Sequence, residues 1–249
     1  MDNPQSIRLN KFLAERLGVS RREADELISA GKITVNGTTA SLGARVCESD
    51  KVNYNHQPVS FQTDYIYLAF HKPVGYVCSR RAQGSAPTIY DLLPPKYHKL
   101  KTVGRLDKDS SGLILLTNDG NFAYQMTHPK FRKTKVYEVD LDRPLAPLHQ
   151  QMISDYGVML DDGPSQFKVI HRVTDSSSKH DQSKPTSTSS TSTTPLTASY
   201  TVILTEGRNR QIRRTFASLG YRVIRLHRIS FGKYELGDLQ SQNCVIIEP

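Results

Sequence analysis

The sequence predicts an α+β protein in which a small two-helix-plus-hairpin unit precedes a larger, mostly antiparallel sheet. Two apolar stripes at helical spacing come first and are followed by the turn pair Asn36-Gly37. From Tyr65 the pattern changes to short β-rich runs that are separated by turns. A chain of 249 residues has room for one large domain or two small ones. We therefore predict two domains, over residues 1–60 and 65–249.

The first predicted helix carries an apolar stripe at spacings typical of one helix face: Leu9, Phe12, Leu13 and Leu17. Ser6 is its expected N-cap, and Gly18 is expected to end it. A second helix begins with Ser20 and Glu23, which have the spacing of a capping box. Gly31 stands where a C-cap glycine belongs, so this helix is expected to end just before it.

Cationic side chains cover the polar faces of these helices and of the strand that follows: Arg8, Lys11, Arg16, Arg21, Arg22 and Lys32. The whole chain has 33 Lys and Arg against 24 Asp and Glu, a formal net charge of +9. A positive field of this kind favours nucleic acid as the partner.

The composition argues against several other classes of protein. With 37% hydrophobic residues the chain can bury a sizeable core. No run approaches the ~20 apolar residues of a membrane helix, and the first residues lack the regions of a secretion signal. Cys47, Cys78 and Cys244 form no CxxC pair, which argues against a disulfide framework or a cysteine-based zinc site. We expect a reduced, soluble, cytoplasmic protein.

Six β-rich runs define the second unit: IYLAF, GLILLT, VYEVDL, YTVILT, YRVIRL and CVIIEP. Between residues 174 and 199 nearly every residue is Ser, Thr, Lys, Asp, Gln or Pro. Such a segment cannot bury enough apolar surface to offset its ordering entropy, so we interpret it as a disordered insertion between two strands. A flexible RNA-contacting arm is the alternative, and only Lys179, His180 and Lys184 favour it.

Three segments are dense in residue types that carry chemistry. Residues 71–80, HKPVGYVCSR, place Lys72 beside a turn. Residues 104–120, GRLDKDSSGLILLTNDG, place Asp107 before a small-residue turn and a buried strand, where a catalytic carboxylate is well presented. The ordinary alternatives are a solvated lysine and an aspartate that caps local backbone N–H groups.

The third segment, residues 205–220 with the sequence TEGRNRQIRRTFASLG, predicts a helix with one buried face: Ile212, Phe216 and Leu219. Four arginines crowd its first turns: Arg208, Arg210, Arg213 and Arg214. These charges repel one another and lie at the unfavourable end of the helix dipole. A bound polyanion or a buried carboxylate would offset this cost.

Together the motifs resemble the ribosomal family of pseudouridine synthases that pairs a small RNA-binding domain with a catalytic domain. GRLDKDSSGLILLTNDG is similar to the family's signature around its aspartate over all 17 residues. HKPVGYVCSR resembles its Lys-Pro-Gly motif, KVYEVDL the strand with its aromatic residue, and GRNRQIRR its basic-helix motif. The first 50 or so residues resemble the RNA-binding domain shared with a small-subunit ribosomal protein. His71, where many relatives have Asn, departs from the pattern.

The resemblance implies that the protein converts a uridine of ribosomal RNA into pseudouridine. It assigns the carboxylate to Asp107, acting as a nucleophile at C1′ or as a base at C2′. It assigns a guanidinium partner to Arg213 and a base-stacking ring to Tyr137, whose hydroxyl is placed to help remove the C5 proton. The isomerisation needs no redox change and no external energy, so we expect no cofactor and no metal.

The target base must leave its stack, and Arg105 is expected to fill the vacated space or to clamp the adjacent phosphate. Leu226 or Ile212 is expected to line the pocket. The complete set of predicted RNA-binding residues is Arg105, Lys72, Arg208, Arg210, Arg8, Lys11, Arg21, Arg22 and Lys32.

The expected partner is ribosomal RNA or a ribosome-assembly intermediate, with 23S RNA favoured over 16S RNA, no membrane partner and a monomeric state. A non-catalytic RNA-binding assembly factor is the main alternative, because it shares the positive charge but has no need of Asp107, Tyr137 and Arg213 together. A nuclease or glycosidase is less favoured, because such enzymes use paired carboxylates or metal ligands. The spacing of Asp107 and Asp109 suits neither.

Overall fold

A computed structural model describes residues 6–61, 64–80, 84–171 and 197–249. Its N-terminal part consists of two short helices and six short strands. They are β1 (Ile7–Arg8), α1 (Leu9–Arg16), α2 (Arg21–Ser29), β2 (Ile33–Val35), β3 (Thr38–Thr39), β4 (Arg45–Val46), β5 (Val52–Tyr54) and β6 (Gln57–Pro58). Strands β3, β2, β5 and β6 form one antiparallel sheet in that order, and β1 pairs with β4.

The helices of this part follow their predicted apolar faces, with Leu9, Phe12 and Leu13 buried in α1. The predicted cap of α1 is wrong. Helix α1 has Arg8 at its N-cap without a side-chain bond, and the hydroxyl of Ser6 instead accepts from Nε of Arg45 at 2.9 Å. The capping box of α2 is confirmed, because the side chains of Ser20 and Glu23 each accept from the other's backbone N–H.

The second part contains eleven further strands and three further helices within the described ranges. They are β7 (Tyr67–Lys72), β8 (Lys101–Val103), β9 (Ser111–Thr117), α3 (Gly120–Thr127), β10 (Lys135–Leu141), α4 (Pro147–Gln151), β11 (Val158–Leu160), β12 (Gly163–Ser165), β13 (Lys168–His171), β14 (Ala198–Leu204), α5 (Gln211–Ser218), β15 (Val223–Phe231), β16 (Tyr234–Glu235) and β17 (Cys244–Ile246). Short 3₁₀ segments (Ile89–Asp91, Pro95–Tyr97 and Pro129–Phe131) and a π-helical turn (Met152–Tyr156) complete the set.

Most of these strands join one sheet, in the order β13-β14-β10-β15-β9-β7-β17, with β16 paired to β15 and β8 to β9. Every pairing in it is antiparallel except that of β9 with β15. Each of the six predicted β-rich runs contributes a strand to this sheet. The predicted α+β class, with a helical front unit and a mostly antiparallel sheet, is therefore confirmed.

Both faces of the large sheet are covered, which explains why β9 appears as an unbroken apolar run. Ile114 and Leu116 pack into one core cluster, whereas Leu113 and Leu115 pack into a second cluster on the opposite face. A strand that is buried on both sides shows no alternation between polar and apolar residues.

The parallel contact of β9 with β15 requires a glycine. The sequence predicts a turn over residues 110–112, but β9 already begins at Ser111 and pairs there with β15. Gly112 has φ +105°, and a Cβ at this position would lie 2.2 Å from the carbonyl oxygen of Arg228. Only glycine allows this approach, and it brings Arg228 beside the loop that carries Asp107.

The two parts of the chain are joined by hydrogen bonds at the C-terminal end of α1. Nζ of Lys101 donates to the carbonyl oxygens of Ala14 (3.2 Å) and Val19 (2.8 Å). Arg80 donates to the carbonyl of Gly18 at 2.8 Å. A cation is well placed there, because the last carbonyls of a helix carry partial negative charge and lack helical partners.

The predicted insertion lies almost entirely at residues 172–196, which are outside the described residues. Its predicted end at residue 199 is too late, because Ala198 and Ser199 already belong to β14 and pair with β10. In the parts of the chain that the structure describes, no helix is both long and apolar enough to cross a bilayer.

We predict that Gly112→Ala lowers the free energy of unfolding by about 3 kcal/mol or more, because the new methyl group overlaps the β15 backbone. Gly43→Ala is the matched control. Gly43 also has positive φ (+82°) but has nothing within 4 Å of its Cβ position, so its loss should stay near about 1 kcal/mol. Urea denaturation of both variants measures the difference, and equal losses would contradict the close approach.

Candidate active site

A cavity of ≈ 740 Å³ opens between the Asp107 loop, strands β10 and β15, and the start of α5. Several predicted site residues line it: Asp107, Tyr137, Arg105, Arg208, Arg210, Ile212 and Leu226. The segments that carried the sequence motifs are thus brought to one place, although they are far apart along the chain. Lys72 and Arg213 lie outside the lining.

The buried side chain of Lys72 holds the loop that carries Asp107 in place. This side chain is fully buried, and its Nζ donates to the backbone carbonyls of Pro73 (3.0 Å), Asp107 (3.0 Å) and Ser110 (2.6 Å). Burial lowers the pKa of Lys72 to about 8, and the charges of neighbouring groups, Asp107 among them, partly oppose that shift. The prediction that Lys72 binds RNA is wrong, because the structure leaves no part of its side chain accessible.

The carboxylate of Asp107 is partly exposed (29%) and lies 3.8 Å from Nη1 of Arg210. This is its one ion pair within the described chain. Backbone hydrogen bonds order the loop around it, since Ser110 N donates to the Asp107 carbonyl within the loop and Gly75 N donates to the Lys108 carbonyl from a distant segment. A carboxylate on a tethered loop beside a cavity is well placed to meet a ligand inside it.

Arg213, which the resemblance assigns to Asp107, instead contacts Asp109. Its Nε lies 3.3 Å from Oδ2 of Asp109, and its Nη2 donates to the Asp109 carbonyl at 2.7 Å. Arg210 adds a bidentate contact to the same carboxylate, at 3.0 and 2.9 Å. Partial burial opposes the effect, but the Arg210 hydrogen bond and the charges of Arg213 and Arg210 lower the pKa of Asp109. Asp109 thus holds both arginines in place beside Asp107.

The other two arginines of this segment hold the hairpin of β11 and β12. Arg208 donates to the carbonyls of Asp162 (3.0 Å), Gly163 (3.1 Å) and Pro164 (2.8 Å). Arg214 makes a bidentate contact with the Asp162 carboxylate, at 3.0 and 2.7 Å. Both Nη atoms of the Arg208 guanidinium group are thus engaged within the protein, and its contact with RNA stays a prediction.

Helix α5 is shorter than predicted, since it begins only at Gln211. Arg208 and Arg210 therefore precede the helix rather than crowd its first turn. The carboxylates that the charge pattern required are Asp109 and Asp162, and both lie at the surface rather than in the interior.

Tyr137 lies on β10, is 8% exposed, and faces the cavity with Leu226 of the neighbouring strand. Its hydroxyl oxygen is 3.5 Å from Nη1 of Arg228. The wall of the cavity therefore combines a flat ring with apolar side chains, which suits a planar heterocycle.

Two cationic residues of the cavity wall, Lys135 and Arg228, escaped the sequence analysis. The alternation of buried and exposed positions along the two strands was the signal that could have identified them. Lys135 stands two residues before the buried Tyr137, and Arg228 stands two residues after the buried Leu226. Residues at i and i+2 of a strand share a face, so both positions point toward the core, where a cation is unusual.

Most of the remaining predicted RNA-binding residues are exposed: Arg8, Arg21, Arg22, Lys32 and Arg105. Lys11 differs, because its Nζ donates to Oδ1 of Asn121 at 2.8 Å and lies 4.0 Å from Glu15. Lys11 thus contributes to the junction between the two parts of the chain. No group of three or more His, Cys, Asp or Glu suited to a metal occurs among the described residues.

Comparison with known proteins supports the family that the motifs suggest. The family model described as RNA pseudouridylate synthase matches residues 66–218, and that of the S4 domain matches residues 7–52. The chain therefore belongs to the RNA pseudouridylate synthase family and carries an S4 domain at its N-terminal side.

Two curated relatives match this chain along nearly their whole length. Ribosomal small subunit pseudouridine synthase A of Pasteurella multocida (strain Pm70) is 35% identical over 236 residues, covering 93% of this chain and 91% of the relative. Ribosomal large subunit pseudouridine synthase B of Bacillus subtilis (strain 168) is 32% identical over 246 residues, covering 97% and 92%. A crystal structure of a pseudouridylate synthase superposes with a TM-score of 0.64 at 27% identity, covering 97% and 96%.

We predict that Lys72→Met destabilises the fold by about 2–4 kcal/mol, because three loop carbonyls lose their shared donor. Lys108→Met, an exposed lysine of the same loop, should change the free energy of unfolding by less than about 0.5 kcal/mol. Thermal or urea denaturation gives both values. A Lys72→Met protein of full stability but weakened RNA affinity would restore the RNA-binding assignment.

Proposed function

We propose that this protein converts a uridine of ribosomal RNA into pseudouridine, with Asp107 acting on the ribose. The observation that carries the proposal is the position of Asp107, which lines a cavity together with the buried ring of Tyr137. Membership of the pseudouridylate synthase family supports the reaction, and relatives named for the small and the large ribosomal subunit support ribosomal RNA as substrate.

The reaction exchanges one bond to the ribose for another. The N1–C1′ bond breaks, the freed uracil turns, and C5 forms the new bond to C1′. The C5 proton is lost and N1 gains a proton, so atoms and electrons balance without a co-reactant. In this mechanism the Asp107 carboxylate either attacks C1′ or removes a proton from C2′.

Two arginines and a second aspartate surround the Asp107 carboxylate. Arg210, at 3.8 Å from the carboxylate, supplies a positive charge. Asp109 positions Arg210 by its bidentate contact and holds Arg213 beside it, so in this proposal Arg213 acts through that network. Lys72 holds the backbone of Asp107 in place beside the cavity, because its Nζ donates to the Asp107 carbonyl.

Tyr137 has the role of a surface on which the detached uracil turns. Stacking holds a planar ring without fixing its orientation about the ring normal. The Tyr137 hydroxyl, near Nη1 of Arg228, is the group that we propose helps to remove the C5 proton.

Binding of the RNA is assigned to the exposed basic residues of the S4 domain and to Arg105, next to the Asp107 loop. The S4-domain residues contact the RNA backbone and so contribute little to sequence recognition. Arg105 is proposed to fill the gap that the flipped uridine leaves in the base stack. Ribosomal RNA as substrate implies action in the cytoplasm, by a protein that we propose is a monomer.

We predict that Asp107→Asn abolishes turnover while the dissociation constant for ribosomal RNA stays within about threefold, because the substitution removes one charge near a largely cationic surface. Release of tritium from 5-tritiated uridine in ribosomal RNA measures turnover, and filter binding measures affinity. Asp238→Asn, at an exposed aspartate outside the cavity, is the control and should match the wild type. Tritium release by Asp107→Asn at the wild-type rate would end the assignment, and none by the wild type would favour the non-catalytic assembly factor.

We predict that the target uridine lies in 23S RNA. The relatives do not separate the two subunits, since a small-subunit and a large-subunit enzyme are 35% and 34% identical to this chain. Mapping carbodiimide-induced reverse-transcription stops in both RNAs, from cells with and without the gene, tests the prediction. One stop that disappears from 23S RNA is the expected result, and a stop lost from 16S RNA instead would contradict it.

A further inference from the structure

Lys135 and Arg228 lie side by side in the cavity wall, on strands β10 and β15. Both cationic groups contact the ring of Phe231. The Lys135 Nζ is 5.2 Å from the ring centroid, and the Arg228 Cζ is 4.9 Å from it. We call these three residues the inner basic wall.

The cations of the inner basic wall have no carboxylate partner among the described residues. Arg228 is 2% exposed; its Nε donates to the Leu113 carbonyl at 2.8 Å, and its Nη2 has no hydrogen-bond partner. Nζ of Lys135 donates only to the backbone carbonyl of Glu206, at 3.2 Å. The Glu206 carboxylate is engaged elsewhere, by Arg208 and Gln211.

This arrangement is costly in the free protein, because burying like charges without a counter-ion costs free energy. Burial lowers the pKa of Lys135 to about 8, the nearby charge of Arg228 acts in the same direction, and the more distant charge of Glu206 opposes the shift only in part. Arg208, Arg210, Arg213 and Arg214 differ, since each has a carboxylate in contact. The inner basic wall is therefore poised for an anion that comes from outside the protein.

We propose that the inner basic wall is a phosphate subsite, which binds a backbone phosphodiester of the RNA next to the flipped uridine. The inference deepens the proposed function, because it names a second part of the same substrate. A phosphodiester brings a full negative charge and several acceptor oxygens, which match an ammonium and a guanidinium group. A neutral uracil carbonyl would satisfy one donor and leave the two cations repelling each other.

The location of this subsite links binding to the chemistry. Tyr137 and Arg228 are direct partners across β10 and β15, and the Tyr137 hydroxyl is 3.5 Å from the Arg228 guanidinium. A phosphate held on the inner basic wall thus anchors the nucleotide chain beside the ring on which the uracil stacks.

Three small probes separate phosphate from base recognition: dimethyl phosphate, uridine and the dinucleotide UpU. The side-chain Nε–H resonance of Arg228, assigned with Arg228→Lys, reports binding at pH 7. We expect dimethyl phosphate and UpU to shift this resonance and uridine to leave it unchanged. A shift with uridine alone would overturn the proposal in favour of a uracil carbonyl.

The variant Lys135→Met should raise the dissociation constant for UpU by about tenfold or more, because the charged donor is lost while the stem over Phe231 is kept. Lys168→Met, at an exposed strand lysine outside the cavity, is the matched control and should bind UpU as the wild type does. Calorimetry gives the constants, and melting temperatures confirm folding. Unchanged affinity in Lys135→Met would contradict the subsite.

Affinity for dimethyl phosphate, which has no group that titrates between pH 7 and pH 9.5, should also depend on pH, because only protonated Lys135 attracts a phosphate. With a pKa of about 8, Lys135 is charged at pH 7 and neutral at pH 9.5, so wild-type binding weakens as pH rises. Lys135→Arg, charged at both values, should lose this dependence, and its persistence there would overturn the assignment. Binding of UpU through Lys135 without tritium release from ribosomal RNA would refute the proposed function and keep the subsite.

Discussion

A single buried ammonium group fixes the part of the structure on which the proposed chemistry depends. Nζ of Lys72 donates to three carbonyls, two of them at the ends of the short loop from Asp107 to Ser110. Without this ammonium group the Asp107 carbonyl would keep only the Ser110 N–H as a donor, and buried carbonyl groups that lack donors cost free energy. The lysine satisfies them from inside the fold, so the Asp107 side chain can remain on a rigid backbone and still be open to the cavity.

The cationic side chains around the cavity differ in whether a carboxylate of the protein compensates their charge. On the side of α5, every arginine of the basic segment contacts a carboxylate, chiefly Asp109 or Asp162. On the side of β10 and β15, Lys135 and Arg228 face the cavity without one. The arginines that hold the protein's own loops are thus paired with carboxylates. The two cations that we propose bind the substrate, Lys135 and Arg228, have no carboxylate in contact among the described residues.

The fold was largely predictable, because its signals are local. The capping box at Ser20, the alternating runs of the sheet and the apolar face of α5 depend on neighbours within a few residues. The errors concern contacts between distant segments. The Ser6 hydroxyl is taken by Arg45, and the Lys72 ammonium by a loop 35 residues onward. Arg213 contacts Asp109 rather than Asp107 for a similar reason, since only the folded chain sets which carboxylate an arginine reaches.

The Lys101 contact at the end of α1 connects the S4 domain to the large sheet. Lys101 stands on β8, the strand that leads into the Asp107 loop, and its hydrogen bonds to Ala14 and Val19 connect that loop to the S4 domain. In the proposed function, an RNA bound to the exposed basic residues of the S4 domain would present to the cavity a nucleotide at a restricted distance from that binding surface. Which uridine reacts then depends on the tertiary shape of the RNA as well as on the bases beside it.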